Sequence, residues 1–542
     1  MTRFARSSFV RLGLLPMALY FAGFVLLTWP AICSFSSHFF GDQLDGLQNV
    51  WNLWWVNKAV AELQQSPWDT TWLHYPHGTT LIGHTLNPFN GFVGIPLATV
   101  LSPTQVYNLI LTMAFVTTGL FAFWLARYLN GSYWPSIVAG FAFTFSSFHF
   151  AHAQGHLQLA SLQFVPLFLL VWVRLVDGPT VTRGLLAGLT LGLLVLCDYY
   201  YTLFCMLTAG ISLIWSLPVL QRRHSLPLAS FAVTALLCVG PVVGRLLWIN
   251  AHDPLIGAHP VEMFSTDLPS LLVPGGHWVF HRLTEPYWSQ LPGNPEEHSV
   301  YLGLTVLGLA CYGLTWRVKH GSRSRSPGLY VVVAIVFTVL SLGPVLHALG
   351  RPLTGPILPY AWLVEIFPPL ELTGVPVRMM VMTILSGCVL AAYGLARLWA
   401  IRSRARIAIG LGLVCLMVVE RWPRGLALTA PHAPDWVVAL RDLPEAQGVL
   451  VDLDEFDTWL LYYQTVYRKP QAFGYVSRAP ASVGEKNDRL RHLYRTGQYN
   501  VLRDELHFRY LVARPGSPLP LTPVYGDSQA TIYDLARDDK PY

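Results

Sequence analysis

The sequence predicts a mainly α, polytopic helical membrane protein that ends in a small soluble α/β domain. Three observations predict it. Of 542 residues, 53% are apolar and only 12% are charged, about half the charged share of soluble domains. Mean hydropathy is +0.43. Apolar runs recur along the first three quarters of the chain, and 15 of its 30 acidic residues then fall beyond Arg421.

A run that crosses about 30 Å of hydrocarbon needs roughly 20 residues, and fewer where neighbouring helices bury it. Such runs lie at 12–33, 105–126, 135–148, 160–173, 185–197, 199–217, 228–249, 301–314, 329–349, 379–398 and 408–419, about eleven transmembrane helices. Lys and Arg collect in alternate short loops: Arg3, Arg6 and Arg11; Arg127; Arg174 and Arg183; Arg222 and Arg223; Arg317 to Arg325; Arg402 to Arg406. By the positive-inside rule these loops are cytoplasmic. The N-terminus is therefore inside and the C-terminal domain outside a plasma (inner) membrane. The first run is long for a signal peptide and lacks a small-residue cleavage site, so it reads as a retained anchor.

Residues 1–421 read as the membrane domain, with outer loops 35–104, 250–300 and 350–378; residues 422–542 read as an extracytoplasmic α/β domain. In the latter, Gly448 to Leu453 reads as a buried strand. Glu455 to Arg468 reads as a helix stopped by Pro470, with an aromatic face of Trp459, Tyr462, Tyr463 and Tyr467. Further helices are expected at 488–495 and 499–506, and strands at 509–513, 522–525 and 530–533.

Composition and motifs exclude several classes. All seven cysteines lie in or beside apolar runs with no Cys-x-x-Cys pair, which supports neither a disulfide framework nor a cysteine zinc site. The net charge of +6 reflects the cytoplasmic loops rather than a nucleic-acid partner. No P-loop, Gly-x-Gly-x-x-Gly, His-Glu-x-x-His or Gly-x-Ser-x-Gly is present.

What remains is polar residues on the outer face, led by the first loop. Phe40-Gly41-Asp42-Gln43-Leu44-Asp45 is followed by Trp51-Asn52-Leu53-Trp54-Trp55. Carboxylates this close to the bilayer are costly unless used. The spacing of Leu44, Leu47, Trp51, Trp54, Trp55 and Lys58 predicts an amphipathic helix lying in the interface like a lid. Asp42 and Asp45 would face one cavity; equally, Asp42 is an N-cap and Asp45 a first-turn residue favoured by the helix dipole.

His149, His152 and His156 are spaced by three and four between the third and fourth runs. They are read as imidazoles that hydrogen-bond substrate, lipid phosphate or backbone, with zinc ligation as the alternative. Glu262, Asp267 and Glu297 stand in the long loop 250–300, as substrate-binding carboxylates or as solvated charges. Arg378 is a basic group on the side where such groups are scarce. A guanidinium there grips a phosphate by paired hydrogen bonds, or else snorkels to anchor a helix end.

Taken in order, several segments carry a resemblance. Gly41-Asp42-x-x-Asp45, the Trp-rich stretch, Gly155-His156-Leu157-Gln158 ahead of Pro166-Leu167, Tyr301-Leu302-Gly303, Val375-Pro376-Val377-Arg378, Tyr462-Tyr463-Gln464-Thr465 and Gly474-Tyr475-Val476-Ser477-Arg478 together resemble the GT-C superfamily of multi-pass membrane glycosyltransferases, in its uncharacterised bacterial branch. The resemblance implies a polyprenyl-phosphate or polyprenyl-diphosphate sugar donor and an extracytoplasmic acceptor hydroxyl on a glycan, lipid or protein. It places the catalytic acid at Asp42 with Asp45 as its nearest partner. From the residues themselves, Arg378 is expected at the donor phosphate, and Trp54, Trp55, the three histidines, Glu262, Asp267 and Glu297 at the substrate. A carboxylate base opposite the leaving group implies inversion. No cofactor follows from the residues, and a divalent cation stays open. Unlike protein O-mannosyltransferases the acids here are not adjacent, and the Trp-Trp-Asp-Tyr-Gly tract of oligosaccharyltransferases is absent. The sugar and the acceptor therefore do not carry over. A transporter or flippase of lipid-linked saccharides, or a non-catalytic envelope assembly factor, are the rival classes. Against the first, the runs are nearly free of acids apart from Asp198.

Overall fold

A computed structural model describes residues 9–536 except 258, 316–322, 354, 369, 371–373, 402, 454–456 and 517–518. Each of the eleven apolar runs contains a helix. Among the described residues, six helical segments are long and apolar enough to cross a membrane: Val10–Leu27, Pro103–Asn130, Leu157–Asp177, Tyr199–Val219, Arg222–His252 and Pro376–Ala400. The other five helices, Tyr133–Thr144, Val181–Cys197, Leu304–Leu314, Pro327–Ser341 and Arg404–Glu420, have 17 residues or fewer. At 1.5 Å per residue none of them alone spans the hydrocarbon.

The chain divides into two compact units. The first comprises Met1–Ser34, Asn108–Val242 and Ala258–Ala427; the second comprises Phe35–Tyr107, Val243–Gly257 and Leu428–Tyr542. Within the first, Met380–Ala400 is the central helix, buried along nearly its whole length, and it packs on Leu304–Leu314 and Pro327–Ser341. The crossing with Leu304–Leu314 depends on glycine. A Cβ at Gly394 would stand 1.9 Å from the Leu309 carbonyl oxygen, and one at Gly313 would stand 2.7 Å from the Gly394 nitrogen. Small residues permit this close backbone approach, which supplies dispersion contact where lipid offers no hydrophobic drive. Gly394→Val is therefore expected to force the two helices apart and lose most monodisperse protein on detergent extraction. A parent-like yield and gel-filtration profile would contradict the contact.

In the second unit a four-stranded sheet has the order Gly448–Val451, Phe508–Ala513, Thr531–Asp534, Pro523–Gly526. Its first pair is parallel and the others antiparallel. Apolar residues alternate to the two faces: Leu450 and Leu511 enter one cluster with Leu490 and Leu502, and Val449, Val451 and Val512 enter another with Trp436 and Leu460. Helices Asp435–Asp442, Thr458–Tyr467, Ala481–Arg495 and Tyr499–Asp504 cover it. Thr458–Tyr467 begins on the Asp457 side chain, which accepts the Trp459 N–H at 2.9 Å, and ends with Arg468 in the left-handed region at φ 54°. Residues 454–456, the expected start of this helix, lie outside the described residues.

The first loop belongs to this second unit. Its helix Asp45–Asn57 is buried on most of its surface. The sequence predicts a lid with one wet face. Instead Trp51 and Trp55 stack at 5.8 Å with planes 6° apart, and both are fully buried with Leu73, Leu81 and Leu461. The Trp51 indole N–H donates to Gln464 Oε1 at 2.7 Å, a partner 413 residues away. The Gln464 amide in turn donates to the Trp72 carbonyl at 2.6 Å.

Candidate functional site

In the first unit, the ends of several helical segments and the turn that carries Glu297 bring ionisable groups together. Arg378 opens the central helix through the short turn Pro376–Met379. Its Nη2 lies 2.5 Å from Glu297 Oε1, and its Nε donates to both Glu297 oxygens at 3.1 Å. Its guanidinium carbon lies 4.7 Å from the Tyr200 ring centroid. Glu297 is 1% exposed and Arg378 is 7% exposed, so this is a desolvated ion pair with an aromatic face laid against it. Among the described residues Arg378 Nη1 has no hydrogen-bond partner.

Two histidines adjoin the pair. His152 Nε2 stands 3.8 Å from Glu297 Oε2 and has no hydrogen-bond partner among the described residues, while His152 Nδ1 and His156 Nδ1 are hydrogen-bonded to each other at 3.0 Å. Burial drives the His152 imidazole well below its ordinary value although Glu297 opposes this. The ring is therefore neutral, and the 3.8 Å approach is not an ion pair. Burial alone would raise the Glu297 carboxyl, but the Arg378 guanidinium beside it holds it well below the usual carboxylate range. Asp198 completes the group. Its Oδ1 accepts the Tyr200 and Tyr201 N–H groups at 2.8 and 3.3 Å, capping Tyr199–Ser216. Burial pushes its carboxyl up to about 7 against the pull of Arg378.

His152, His156 and Glu297 each offer a ligand atom within 4.8 Å of one another, a donor set that suits zinc or manganese. Arg378 already grips Glu297, so a dication there would compete with a fixed positive charge for the same carboxylate.

Other sequence-predicted residues of this unit lie apart from the cluster. His149 stacks on Phe115 at 3.8 Å, and its ring nitrogens meet the Thr144 and Ala160 carbonyls at 2.7 and 2.8 Å. Asp267 accepts from Leu349 N–H, Gly350 N–H and the Tyr287 hydroxyl at 3.1, 2.8 and 2.6 Å, pinning a loop. Glu262 is exposed.

In the second unit, Asp42 Oδ1 accepts the Leu44 and Gly46 N–H groups at 3.0 and 2.8 Å. This fixes the half-buried carboxylate at the entry to Asp45–Asn57, where Asp45 is the first residue. The capping geometry and an oriented carboxylate are one arrangement here. Trp54 is half-buried against Trp72 at 5.8 Å, whereas the Trp55 indole N–H donates to the Pro67 carbonyl at 2.9 Å inside the core.

Next to Asp45 runs a polar network that joins His84 and Thr85, in a polar stretch of the first loop, to Asn52 and Ser477. The Ser477 N–H donates to His84 Nδ1 at 3.1 Å, which makes Nδ1 an acceptor. The protonated Nε2 then donates to Asn52 Oδ1 at 2.9 Å, and Asn52 Nδ2 donates to the Thr85 carbonyl at 2.9 Å. Burial lowers His84 from 6.5 to about 3 although Asp45 opposes it. Burial likewise lowers His74 to about 4. Both rings are neutral when folded and take a proton near 6.5 when unfolded, so the unfolded state binds more protons throughout that window. Stability is expected to fall as pH drops from about 6.5 towards 4, by about 1.4 kcal/mol per pH unit for each histidine. His84→Asn should flatten that slope in thermal unfolding between pH 7 and 4.5, and an unchanged slope would contradict the buried neutral ring.

Residues 49–420 match the family defined by a domain of unknown function, DUF6311. The chain belongs to the DUF6311 family. No curated protein matches this DUF6311 sequence. Among solved structures, the arabinofuranosyltransferase AftD from Mycobacteria aligns over 97% of this chain and 40% of its own, at 15% identity and a TM-score of 0.55. A mutant form of AftD aligns over 96% and 42%, also at 15% identity, with a TM-score of 0.56. The Archaeoglobus fulgidus oligosaccharyltransferase aligns over 95% of this chain and 70% of its own, at 12% identity and a TM-score of 0.50. The chain thus spans about two fifths of the length of AftD. At these identities the likeness is one of fold, and the DUF6311 protein has the GT-C glycosyltransferase fold.

Proposed function

We propose that this protein is a membrane glycosyltransferase that moves a sugar from a polyprenyl phosphate or diphosphate to a hydroxyl of an extracytoplasmic glycan, lipid or protein, with inversion. The observation that carries this reading is the GT-C fold shared over 95–97% of the chain with an arabinofuranosyltransferase and an oligosaccharyltransferase. In this reading the N-terminus is cytoplasmic and the reaction occurs at the outer face of the inner membrane. The donor enters from the bilayer with its polyprenyl tail among the apolar helices.

The chemistry is a single displacement. The acceptor oxygen attacks the anomeric carbon, its proton passes to the Asp42 carboxylate, and the bond to the phosphate oxygen breaks with its electron pair leaving on the phosphate. The two N–H groups on Asp42 Oδ1 support the role of base by fixing the carboxylate before substrate arrives. Asp45 assists it. At the phosphate, Arg378 supplies Nη1 while Glu297 holds the guanidinium rigid, and His152 Nε2 supplies a further polar contact. Fixed groups of this kind stabilise developing charge without reorganising during the reaction.

Product stereochemistry tests the reading. Protein in liposomes, given a polyprenyl-phosphate sugar of defined anomeric configuration and envelope extract, is expected to yield a glycoside of the opposite configuration by NMR. A product of retained configuration would overturn the role of Asp42. Recovery of the donor lipid intact on the other leaflet would favour transport instead.

A further inference from the structure

The second unit contains a cleft of about 680 Å³ that neither Asp42 nor Asp45 lines. Three stretches far apart in sequence build it: residues 65–80 of the first loop, residues 245–253 at the end of the helix Ser225–His252, and residues 480–486 of the tail.

Its polar groups are held in place before any ligand arrives. Arg245 Nη2 lies 2.6 Å from both oxygens of Asp69. Asp253 accepts the Ser482 N–H at 3.1 Å and the Ser482 hydroxyl at 2.7 Å, and these bonds keep its carboxyl below the ordinary range. The floor is a two-stranded hairpin pairing Asp69–Thr70 with Thr79–Thr80. The hairpin closes through Gly78 at φ +69°, where a Cβ would stand 2.5 Å from the Thr70 carbonyl oxygen, so only glycine shapes this floor. At the rim the Trp248 ring is 62% exposed and packs on His252 at 4.6 Å. The His252 Nδ1–H donates to the Trp248 carbonyl at 2.7 Å, which leaves Nε2 as an acceptor.

The lining selects among ligand classes. Positive Arg245 is matched by Asp69, and Lys486 stands near Asp253, so no excess positive field exists for a nucleic acid or polyphosphate. Threonine hydroxyls and charged groups line the floor, with Ile249, Pro480 and Val483 beside them, a mixed polar and apolar surface. Planar carboxylate, amide and guanidinium groups interleaved with threonine hydroxyls, beneath an exposed indole, match the alternating donors, acceptors and C–H face of sugar rings. The volume lies within the range of specific small-molecule sites and exceeds the needs of one ring.

We propose that this cleft binds a short, uncharged oligosaccharide segment, with Trp248 stacking on one ring and Asp69, Arg245 and Asp253 reading its hydroxyls. Its role as the place where the acceptor glycan is held rests on the transferase reading; the binding itself does not. Trp248 lies near the end of a helix long enough to span the membrane, so the glycan is either free or borne on a lipid headgroup.

The test is direct binding to the full-length protein in nanodiscs, read by saturation-transfer NMR. The probes are linear trisaccharides of arabinofuranose, mannose, galactose, glucose and N-acetylglucosamine, each offered free and as a lipid conjugate in the disc. At least one sugar is expected to bind in one of the two forms, about tenfold more weakly in Trp248→Ala and several-fold more weakly in Asp253→Asn, with both variants melting like the parent. The arm that binds tells free from lipid-borne glycan. Asp42→Asn should bind as the parent does, so a transferase failure and a cleft failure read out separately. Absence of binding by every probe in both arms, or equal binding by parent and both cleft variants, overturns the proposal.

Discussion

Asp42→Asn is expected to leave the protein folded while lowering sugar transfer by about two to four orders of magnitude, the usual range for loss of a positioned general base. The substitution separates the hydrogen-bonding role seen in the structure from the proposed role of base. Asp42 Oδ1 accepts the Leu44 and Gly46 N–H groups at the start of Asp45–Asn57. Asparagine caps a helix about as well as aspartate does, so its amide oxygen keeps those bonds, and the melting temperature should stay within a few degrees of the parent. Asp42→Ala removes the cap as well and should lose roughly a further 1 kcal/mol of stability. If Asp42 were only a cap, Asn would be active and Ala would be merely less stable. Transfer and thermal unfolding measured on the same three preparations decide between the two.

Arg378→Ala is the second large effect, and it bears first on stability. Glu297 is 1% exposed, with Arg378 Nη2 at 2.5 Å. Removing one partner of a buried pair costs about 3–5 kcal/mol because the other charge is stranded. The stranded carboxylate escapes part of that cost by taking a proton. Without Arg378, burial is left to raise the Glu297 carboxyl above its unfolded value. The destabilisation should then be full above that raised value and shrink as pH falls through it. Replacing both partners with apolar residues, Arg378→Met with Glu297→Leu, should restore most of the melting temperature yet leave use of the lipid donor defective. Recovery of donor use in the double variant would reduce Arg378 to a structural anchor.

The helical fold was legible because apolar run length is a local property. Each of the eleven runs contains a helix, yet among the described residues six helical segments reach spanning length. The strands of the tail were legible from short apolar stretches between turn formers. Burial of the first-loop helix was not. Its indole spacing fits a lid, and nothing local shows that Trp51 meets Gln464, 413 residues away. Likewise Arg378 and Glu297 stood out separately as rare outer charges, but a pairing across 81 residues leaves no trace in either neighbourhood. His149, His152 and His156 share a spacing, yet within the short helix Ser147–His152 the first lies on Phe115 and the second approaches Glu297, and His156 follows only after that helix has ended. Asp198 was visible only as an isolated acid between two apolar runs, and its place beside Arg378 comes from the packing of helices distant in sequence.

Radiolabel transfer reads the proposed reaction itself. Purified protein in lipid receives a panel of polyprenyl-phosphate sugars labelled in the sugar, with envelope extract as acceptor, beside Asp42→Asn. Label is expected in a new product with the parent, from at least one lipid donor and without a nucleotide sugar, and almost none with the variant. Label that stays on every donor with the parent, or equal transfer by parent and variant, would contradict it.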